Sequence, residues 1–288
     1  MDDLSTRARI DQGFKDRMKS DLKVVLITGA SSGFGLATAT LLQEKGYRVF
    51  GTSGSPSRTT SPVKFEMLAL DVNSDDSVSA CVKSLLEKSG GKIDVLVNNA
   101  GFALAGGIEE TKLEEAKSQL ETNFWGYVRM VKAVLPAMRK QRSGRIINVG
   151  SLAGFVPVPF MGYYAISKFA LEGFSEVLRQ ELKSLGVWVS IVEPTFFKTN
   201  IGNATRNTTN KIQDYDGMRE RVYEALRKHA KEGGDPIVVA KLVMKIIETE
   251  KPKLHYPVGR GKYVLTFKKI LPQSMFENQV RKNFNVYG

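Results

Sequence analysis

Two side chains on one predicted helix have the types and the spacing that acid–base chemistry needs. Tyr164 and Lys168 are four residues apart, so on a helix they share one face, about one turn apart. A free tyrosine has a pKa near ~10 and exchanges protons poorly at neutral pH. Because a neighbouring ammonium group favours the phenolate, it lowers that pKa. The pair therefore predicts a tyrosine that gives or takes a proton in catalysis.

A glycine-rich turn near the start of the chain is the second chemical feature. Gly29, Gly33 and Gly35 follow a β-branched run and precede a predicted helix. Glycines permit a tight turn and let the backbone approach a pyrophosphate closely. The helix N-terminus adds unpaired N–H groups and a partial positive charge. The turn predicts a dinucleotide site, and an ordinary glycine-rich turn is the alternative interpretation.

Short apolar runs alternate with longer amphipathic stretches along the whole chain. Strands are predicted at 24–28, 47–52, 65–70, 93–97, 145–149, 187–192 and 253–256, and the main helices at 36–45, 77–88, 113–139, 162–185 and 237–248. Strict alternation predicts a parallel sheet covered on both faces, with right-handed crossovers. The expected fold is α/β: a single doubly wound Rossmann-type domain with a mostly parallel seven-stranded sheet.

The spacing Gly-x-x-x-Gly-x-Gly resembles that of the short-chain dehydrogenase/reductase family. Further motifs of that family follow in order: Asn98-Asn99-Ala100-Gly101 after the fourth strand, Asn123 in the long helix, Ser151 after the fifth strand, the Tyr164-x-x-x-Lys168 motif, Pro194 after the sixth strand, and Thr199. The resemblance extends from about residue 23 to residue 256. Six motif matches in the family's order make a chance resemblance a poor explanation.

The resemblance implies a catalytic set of four side chains. In it, Tyr164 gives or takes the proton, and Lys168 tunes that tyrosine and holds the nicotinamide ribose. Ser151 orients the substrate oxygen where charge develops, and Asn123 supports a proton relay by holding a water. The implied cofactor contacts come from Gly29, Ser31, Ser32, Gly33, Phe34, Gly35, Asp71, Val72, Asn98, Ala100, Tyr164, Lys168, Pro194 and Thr199.

The end of the second predicted strand indicates which nicotinamide cofactor is used. NAD-specific proteins place an acidic residue there, on the ribose hydroxyls, whereas residues 50–55 contain no carboxylate. Arg58 lies just beyond and could pair with a 2′-phosphate, to which Ser53 could donate a hydrogen bond. NADP is therefore the expected cofactor, and NAD remains possible.

Two apolar segments are expected to border the substrate cleft. Residues 155–161 lie between Ser151 and Tyr164, and Phe196 and Phe197 follow Pro194. They favour an apolar carbonyl or alcohol substrate that is lipid-, steroid- or retinoid-like, or aromatic. Subunit packing is a nearly equal interpretation of both segments. The resemblance implies a homodimer or homotetramer.

The bulk composition limits the other classes of partner. Lys and Arg total 42 against 30 Asp and Glu, a net charge of +12. Such a charge could attract nucleic acid, but the basic residues are scattered, without a zinc-finger spacing or an RNA-recognition signature. No nucleic acid is therefore expected as a partner. His229 and His255 lack metal-ligand spacing, so no metal site is expected.

The ends of the chain differ from the centre. Residues 1–21 are polar and predict a flexible extension without a signal peptide, residues 22–260 the catalytic domain, and residues 261–288 a tail that is apolar and basic together. The tail could close the cleft, pack on a partner subunit or touch a membrane surface; packing is favoured and no membrane contact is expected. Cys81 is the only cysteine, which fits a cytoplasmic protein.

The function that these features predict is NAD(P)-dependent interconversion of an alcohol and a ketone or aldehyde. The alternative is a non-catalytic regulator that senses NADP(H). The complete set of Tyr164, Lys168, Ser151 and Asn123 argues against that alternative, because a sensor needs no acid–base pair.

Overall fold

The computed structural model describes residues 22–55, 63–199, 205–260 and 263–286. Within these ranges seven strands form one sheet in the order β3-β2-β1-β4-β6-β7-β9. They are β1 (Val24–Ile27), β2 (Arg48–Ser53), β3 (Glu66–Ala69), β4 (Val95–Asn98), β6 (Gly144–Val149), β7 (Val187–Pro194) and β9 (His255–Val258). Every neighbouring pair is parallel. The predicted extension 1–21 and Arg58 lie outside the described residues.

Helices cover both faces of the sheet. They are α1 (Gly33–Glu44), α2 (Asp75–Ser89), α3 (Leu113–Leu120), α4 (Gly126–Gln141), α5 (Gly162–Leu182), α6 (Asp216–Lys231), α7 (Ile237–Glu248), α8 (Val264–Ile270) and α9 (Gln273–Asn283). Alternate residues of β1 point to opposite faces: Val24 and Leu26 join one core cluster, and Val25 and Ile27 join the other. This arrangement confirms the predicted doubly wound α/β fold.

The sheet brings the candidate residues to one edge. All strands are parallel, so their carboxyl ends meet at the same side of the sheet. From β1 the chain moves outward to β2 and β3 and then returns to β4 on the other side of β1. At such a reversal of strand order a crevice forms, and open α/β sheets bind their ligands there. The glycine-rich turn follows β1 directly, and Asn99 follows β4.

Three features were not predicted from the sequence. A second parallel pair joins β5 (Leu104–Ala105) to β8 (Arg206–Asn207). Helix α6 lies in a strongly charged stretch, where its two buried apolar residues, Val222 and Ala225, are easily overlooked. The predicted helix 113–139 is interrupted by a π-helical turn, Glu121–Trp125, and continues to Gln141.

A buried ion pair fixes α6 to the rest of the molecule. Glu110 is fully buried and pairs with Arg219 of α6. Its carboxylate also accepts hydrogen bonds from the backbone N–H groups of Gly107, at 3.0 Å, and Ile212, at 2.9 Å. Because each charge is paired and hydrogen-bonded, the burial is tolerable. The pair holds α6 against the apolar loop 155–161, whose Phe160 shares a core cluster with Val222.

No helix in the described part of the chain is both long enough and apolar enough to cross a membrane.

Candidate active site

The glycine-rich turn has a backbone conformation that strongly favours glycine. Gly29 and Gly33 have φ values of 67° and 55°, in the left-handed region that side chains disfavour. A Cβ on Gly35 would lie 2.3 Å from the carbonyl oxygen of Gly29, and a Cβ on Gly29 would lie 2.9 Å from the Cα of Ala100. The turn is therefore packed closely against the segment after β4.

The N-terminus of α1 is open to an anion. Its N-cap, Ser32, makes no side-chain cap, and the first turn contains no acidic residue. Helix α2 differs, because Ser74 caps it and Asp75 and Asp76 occupy its first turn. Uncapped N–H groups and the helix dipole favour a phosphate. The turn and this helix therefore fit the pyrophosphate of a dinucleotide; Ser31 and Phe34 beside it are half-buried.

Asn99 holds the turn in place, although the sequence did not single it out as a site residue. Its side-chain amide donates to the carbonyl oxygens of Thr28, at 2.9 Å, and Gly29, at 3.1 Å. The Thr28 hydroxyl in turn accepts from the backbone N–H of Asn99 and of Ala100, at 2.8 and 3.0 Å. The signal that could have found Asn99 was its place in the motif Asn98-Asn99-Ala100-Gly101.

Asn98 points into the protein interior. It is fully buried, and its amide donates to the side chain of Asn148 at 3.0 Å and to the carbonyl oxygen of Tyr127 at 3.4 Å. Its side chain therefore joins β4 to β6 and helix α4. Ala100, the third residue of the same motif, lies against the glycine-rich turn.

The remaining predicted cofactor residues lie around the same crevice. The Ser53 hydroxyl, at the end of β2, accepts a hydrogen bond from the N–H of Ser55 at 3.2 Å. Asp71 is exposed, and Val72 behind it is buried. Pro194 ends β7. Thr199 approaches the glycine-rich turn, since a Cβ on Gly33 would lie 3.5 Å from the Cβ of Thr199.

Tyr164, Lys168 and Ser151 come together at the carboxyl end of β6. A side-chain hydrogen bond joins the phenol of Tyr164 to Ser151. The Lys168 ammonium lies 5.9 Å from the centre of the Tyr164 ring and donates to the carbonyl oxygen of Val149 at 2.8 Å. Helix α5 thus carries the tyrosine and the lysine on one face, as their spacing predicted.

The direction of one pKa shift is opposite to the sequence prediction. Burial raises the pKa of Tyr164, and the Ser151 hydrogen bond only partly offsets this. Burial also lowers the pKa of Lys168 to about 8, although the negative charge of Glu172 acts in the opposite direction. The charge of Lys168 was expected to lower the pKa of Tyr164. Its ammonium, however, is bound by the carbonyl oxygen of Val149 and makes no hydrogen bond with the phenol. Desolvation is therefore the larger effect at both groups.

Asn123 lies in the π-helical turn and is fully buried. Its side-chain oxygen accepts from the N–H of Phe102 at 3.1 Å, and its amide donates to the carbonyl oxygen of Phe102 at 2.9 Å. The amide also lies 3.3 Å from the hydroxyl of Ser167, next to Lys168. Asn123 therefore joins the segment after β4 to helix α5, and its predicted water stays a prediction. Single π turns in helices are frequent at functional sites.

A buried cluster that the sequence did not reveal lies behind Lys168. Glu172, one turn further along α5, converges with Glu193 and His255. The His255 ring nitrogen is 2.8 Å from the Glu193 carboxylate and 3.5 Å from that of Glu172. Hydrogen bonds to Glu172 and Glu193 raise the pKa of His255 to about 10. Burial raises the pKa of Glu172 to about 7 and also raises that of Glu193. The imidazolium therefore balances the two buried carboxyl groups.

We expect the substitution His255→Gln to destabilise the protein by about 2 kcal/mol at pH 7, after allowance for solvent screening of the partly exposed imidazole. The reason is that two buried carboxyl groups lose their positively charged partner. In the wild type, the raised pKa values of His255, Glu172 and Glu193 mean that the folded state binds more protons than the unfolded state. Wild-type stability should therefore fall as the pH rises through about 7, for Glu172, and about 10, for His255.

Melting temperatures measure this loss. His229→Gln, at the only other histidine, is the control and should cost less, because it removes no partner of the buried carboxyl groups Glu172 and Glu193. Equal losses of stability in the two variants would refute the charge balance.

An apolar cluster borders Tyr164. Tyr164 packs against the buried cluster that contains Met161, as do Val158 and Leu226. Tyr223 packs against the same cluster, and its buried hydroxyl has no hydrogen-bond partner among the described residues. This cluster, which we call the apolar wall, is therefore suited to an apolar molecule that offers one additional polar group.

Comparison with known proteins identifies the family. Residues 23–210 match the short chain dehydrogenase family. The chain belongs to this family. It is 39% identical over 264 residues to a 3-ketodihydrosphingosine reductase of Bacteroides thetaiotaomicron, covering 90% of this chain and 97% of that protein. It is 36% identical to retinol dehydrogenase 8 of Bos taurus, covering 81% and 80% of the two chains.

A solved structure agrees with this assignment. A short chain dehydrogenase/reductase from Burkholderia phymatum, in complex with NAD, has a TM-score of 0.76 and 26% sequence identity, covering 91% of this chain and 96% of that one. As a member of this family, the chain is an NAD(P)-dependent oxidoreductase that acts on CH–OH or carbonyl groups. The glycine-rich turn and the open N-terminus of α1 fit that cofactor.

We expect Gly35→Ala to weaken NADPH binding. The new Cβ would overlap the carbonyl oxygen of Gly29 and lie 2.6 Å from the Asn99 amide, so the phosphate turn must shift. Overpacking of this kind costs about 1–3 kcal/mol, which is about tenfold or more in the dissociation constant. A fluorescence titration with NADPH measures it.

Gly173→Ala is the matched control, because a Cβ there meets nothing within 4 Å. Unchanged NADPH affinity in Gly35→Ala would contradict the role of the turn.

Proposed function

We propose that this chain is an NADP(H)-preferring dehydrogenase or carbonyl reductase for apolar substrates, with Tyr164 as its catalytic acid and base. The observation that carries the proposal is the position of the Tyr164 phenol. It is hydrogen-bonded to Ser151, lies one helical turn from the buried Lys168, and faces an apolar cluster.

In reduction, the phenol of Tyr164 donates its proton to the substrate oxygen. The nicotinamide, when bound, supplies the hydride to the carbonyl carbon. Ser151 donates a hydrogen bond to the same oxygen, where negative charge develops. The ammonium of Lys168 favours the phenolate that remains, and its pKa of about 8 allows it to carry a positive charge at neutral pH. Oxidation of the alcohol follows the same path in reverse.

The end of β2 supports NADP over NAD. Ser53, Gly54 and Ser55 carry no carboxylate to repel a 2′-phosphate, and we expect the Ser53 hydroxyl to donate a hydrogen bond to that phosphate. The net charge of +12 also favours the more highly charged cofactor.

We expect Gly54→Asp to shift the preference from NADPH towards NADH. Among the described residues, a Cβ on Gly54 would meet only the carbonyl oxygen of Leu70, at 3.8 Å, so these residues leave room for the new side chain. A carboxylate near the 2′-phosphate should weaken NADPH binding by about tenfold or more, since like charges at an interface cost several kcal/mol. The ratio of kcat/KM with NADPH to that with NADH measures it.

Gly54→Asn has nearly the same shape without the charge and should change this ratio little. If the two substitutions have equal effects, the proposed place of the 2′-phosphate is wrong.

The apolar wall and the names of two relatives support a lipid-like substrate. Residues 155–161 pack beside Tyr164 and α6. The relatives are named for 3-ketodihydrosphingosine, a ketone, and for retinol, an alcohol. Both compounds are long and apolar. We therefore propose a long-chain or retinoid-like ketone or alcohol for this chain.

We also propose a homodimer through helix α5. Ile166, Phe169 and Val177 are 45%, 43% and 55% exposed and lie along one side of this helix. Exposed apolar surface of this extent on a long helix is typical of an interface between subunits.

A screen of NADPH oxidation tests the proposed function. Long-chain ketones, retinal and aromatic aldehydes would be offered to the wild-type chain, with absorbance at 340 nm as the readout. We expect apolar carbonyl compounds to be reduced and short polar ones to be reduced much more slowly. If the chain binds NADPH but reduces none of these compounds, the result would favour the alternative function of a non-catalytic regulator that senses NADP(H).

A further inference from the structure

Helix α8 in the tail exposes the side that a helix of a soluble protein usually buries. Tyr263, Phe267 and Ile270 are spaced at i, i+4 and i+7, so they share one helix face. They are 64%, 57% and 73% exposed, and Met275, at the start of α9, is 56% exposed. We call these four residues the tail face.

Two aromatic residues of the tail are buried, and one of its lysines contacts the loop 155–161, so the tail face does not result from a detached segment. Phe276 and Phe284 are buried. The Lys268 ammonium contacts the carbonyl oxygen of Phe155 and lies 5.5 Å from the centre of the Phe169 ring. The tail is therefore attached to the apolar loop 155–161 by one side of α8, and presents large apolar side chains on the other.

The charge around the tail face indicates what covers it. Residues 259–288 contain six basic residues and a single acidic one, Glu277. A second copy of this chain would bring two strongly basic tails together, and like charges disfavour that contact. An apolar face with basic flanks matches the interface of a membrane that contains anionic lipids.

We propose that the tail face docks this protein on the surface of an anionic lipid bilayer. The apolar side chains of the tail face enter the boundary between headgroups and acyl chains, and the net positive charge of the tail attracts the anionic headgroups. From the sequence, packing of the tail on the substrate side or on a partner subunit was favoured over contact with a membrane. Phe276 and Phe284 are buried within the chain, whereas the tail face is exposed.

Docking places the membrane beside the substrate side of the enzyme. A groove runs between the loop and α9 and is lined by Pro157, Pro159, Phe276 and Val280. This consequence rests on the proposed function, because it gives a long apolar substrate a path from the bilayer towards Tyr164. The docking itself does not depend on which substrate is reduced.

Vesicle sedimentation tests the docking without any measurement of activity. The full chain would be mixed with vesicles of phosphatidylcholine containing 30% phosphatidylserine, and with vesicles of pure phosphatidylcholine. We expect about tenfold or stronger partitioning onto the anionic vesicles, and its loss in 0.5 M NaCl. Failure of the wild-type chain to sediment with anionic vesicles would overturn the proposal.

The double substitution Phe267→Ser with Ile270→Ser removes the apolar part of the tail face. We expect it to lower partitioning by about tenfold or more, with unchanged NADPH binding and melting temperature. Leu113→Ser is the matched control, because Leu113 is 64% exposed on α3, and it should bind vesicles like the wild type. Unchanged binding by the double variant would overturn the proposal, as would a wild-type oligomer that this variant dissociates.

Discussion

The substitution Tyr164→Phe is expected to lower kcat by about 10²–10⁴-fold, the usual contribution of a positioned proton donor. The phenyl ring keeps the packing against Met161 and Val158, so only the hydroxyl and its hydrogen bond with Ser151 are lost. NADPH affinity should change little, because the glycine-rich turn is untouched. Steady-state NADPH oxidation and a binding titration separate the two effects.

Tyr163→Phe is a closely matched control. Tyr163 is the preceding residue of α5 and is half-buried, but the proposed chemistry does not use it. We expect nearly wild-type turnover from it. Equal kcat values for the two variants would remove Tyr164 from the mechanism.

Lys168→Met is expected to lower kcat/KM by about 10²-fold. Loss of the ammonium removes a positive charge that favours the phenolate, and burial already raises the pKa of Tyr164. The phenolate that remains after proton donation is then less stable. Since alcohol oxidation requires the tyrosine as a base, the rate of oxidation should need a higher pH in the variant than in the wild type.

The pH profile of alcohol oxidation measures this shift. Lys183→Met, at the exposed end of α5, serves as a control for general loss of positive charge. A profile for Lys168→Met that coincides with that of the wild type would show that the ammonium does not tune the phenol.

The architecture could be predicted because local signals agree with the global fold. β1 is a continuous apolar run, Val24–Ile27, as expected of a strand buried on both faces. Helix α7 has the predicted bounds, Ile237–Glu248, since its apolar periodicity continues from end to end. Helix α6 was not predicted because only a narrow stripe of its surface is buried. Its contact with the loop 155–161 depends on Glu110, which lies far from α6 in the sequence.

The residues of the site could be located, but their surroundings could not. Spacing alone placed Tyr164 and Lys168 on one helix face. The opposing effect of burial on their pKa values depends on how much protein surrounds them, which no local pattern records. Glu172, Glu193 and His255 illustrate the same limit, because three separate elements bring them together.

Transfer of deuterium from cofactor to product tests the central claim most directly. NADPH carrying deuterium at both C4 positions would be incubated with the wild-type chain and a long-chain ketone, and the product analysed by mass spectrometry. We expect the wild type to form alcohol with one deuterium on the carbinol carbon, and Tyr164→Phe to form almost no labelled alcohol at the same NADPH saturation. The proposed reaction would be contradicted if NADPH bound but no ketone or aldehyde that fits the apolar wall gave a labelled alcohol.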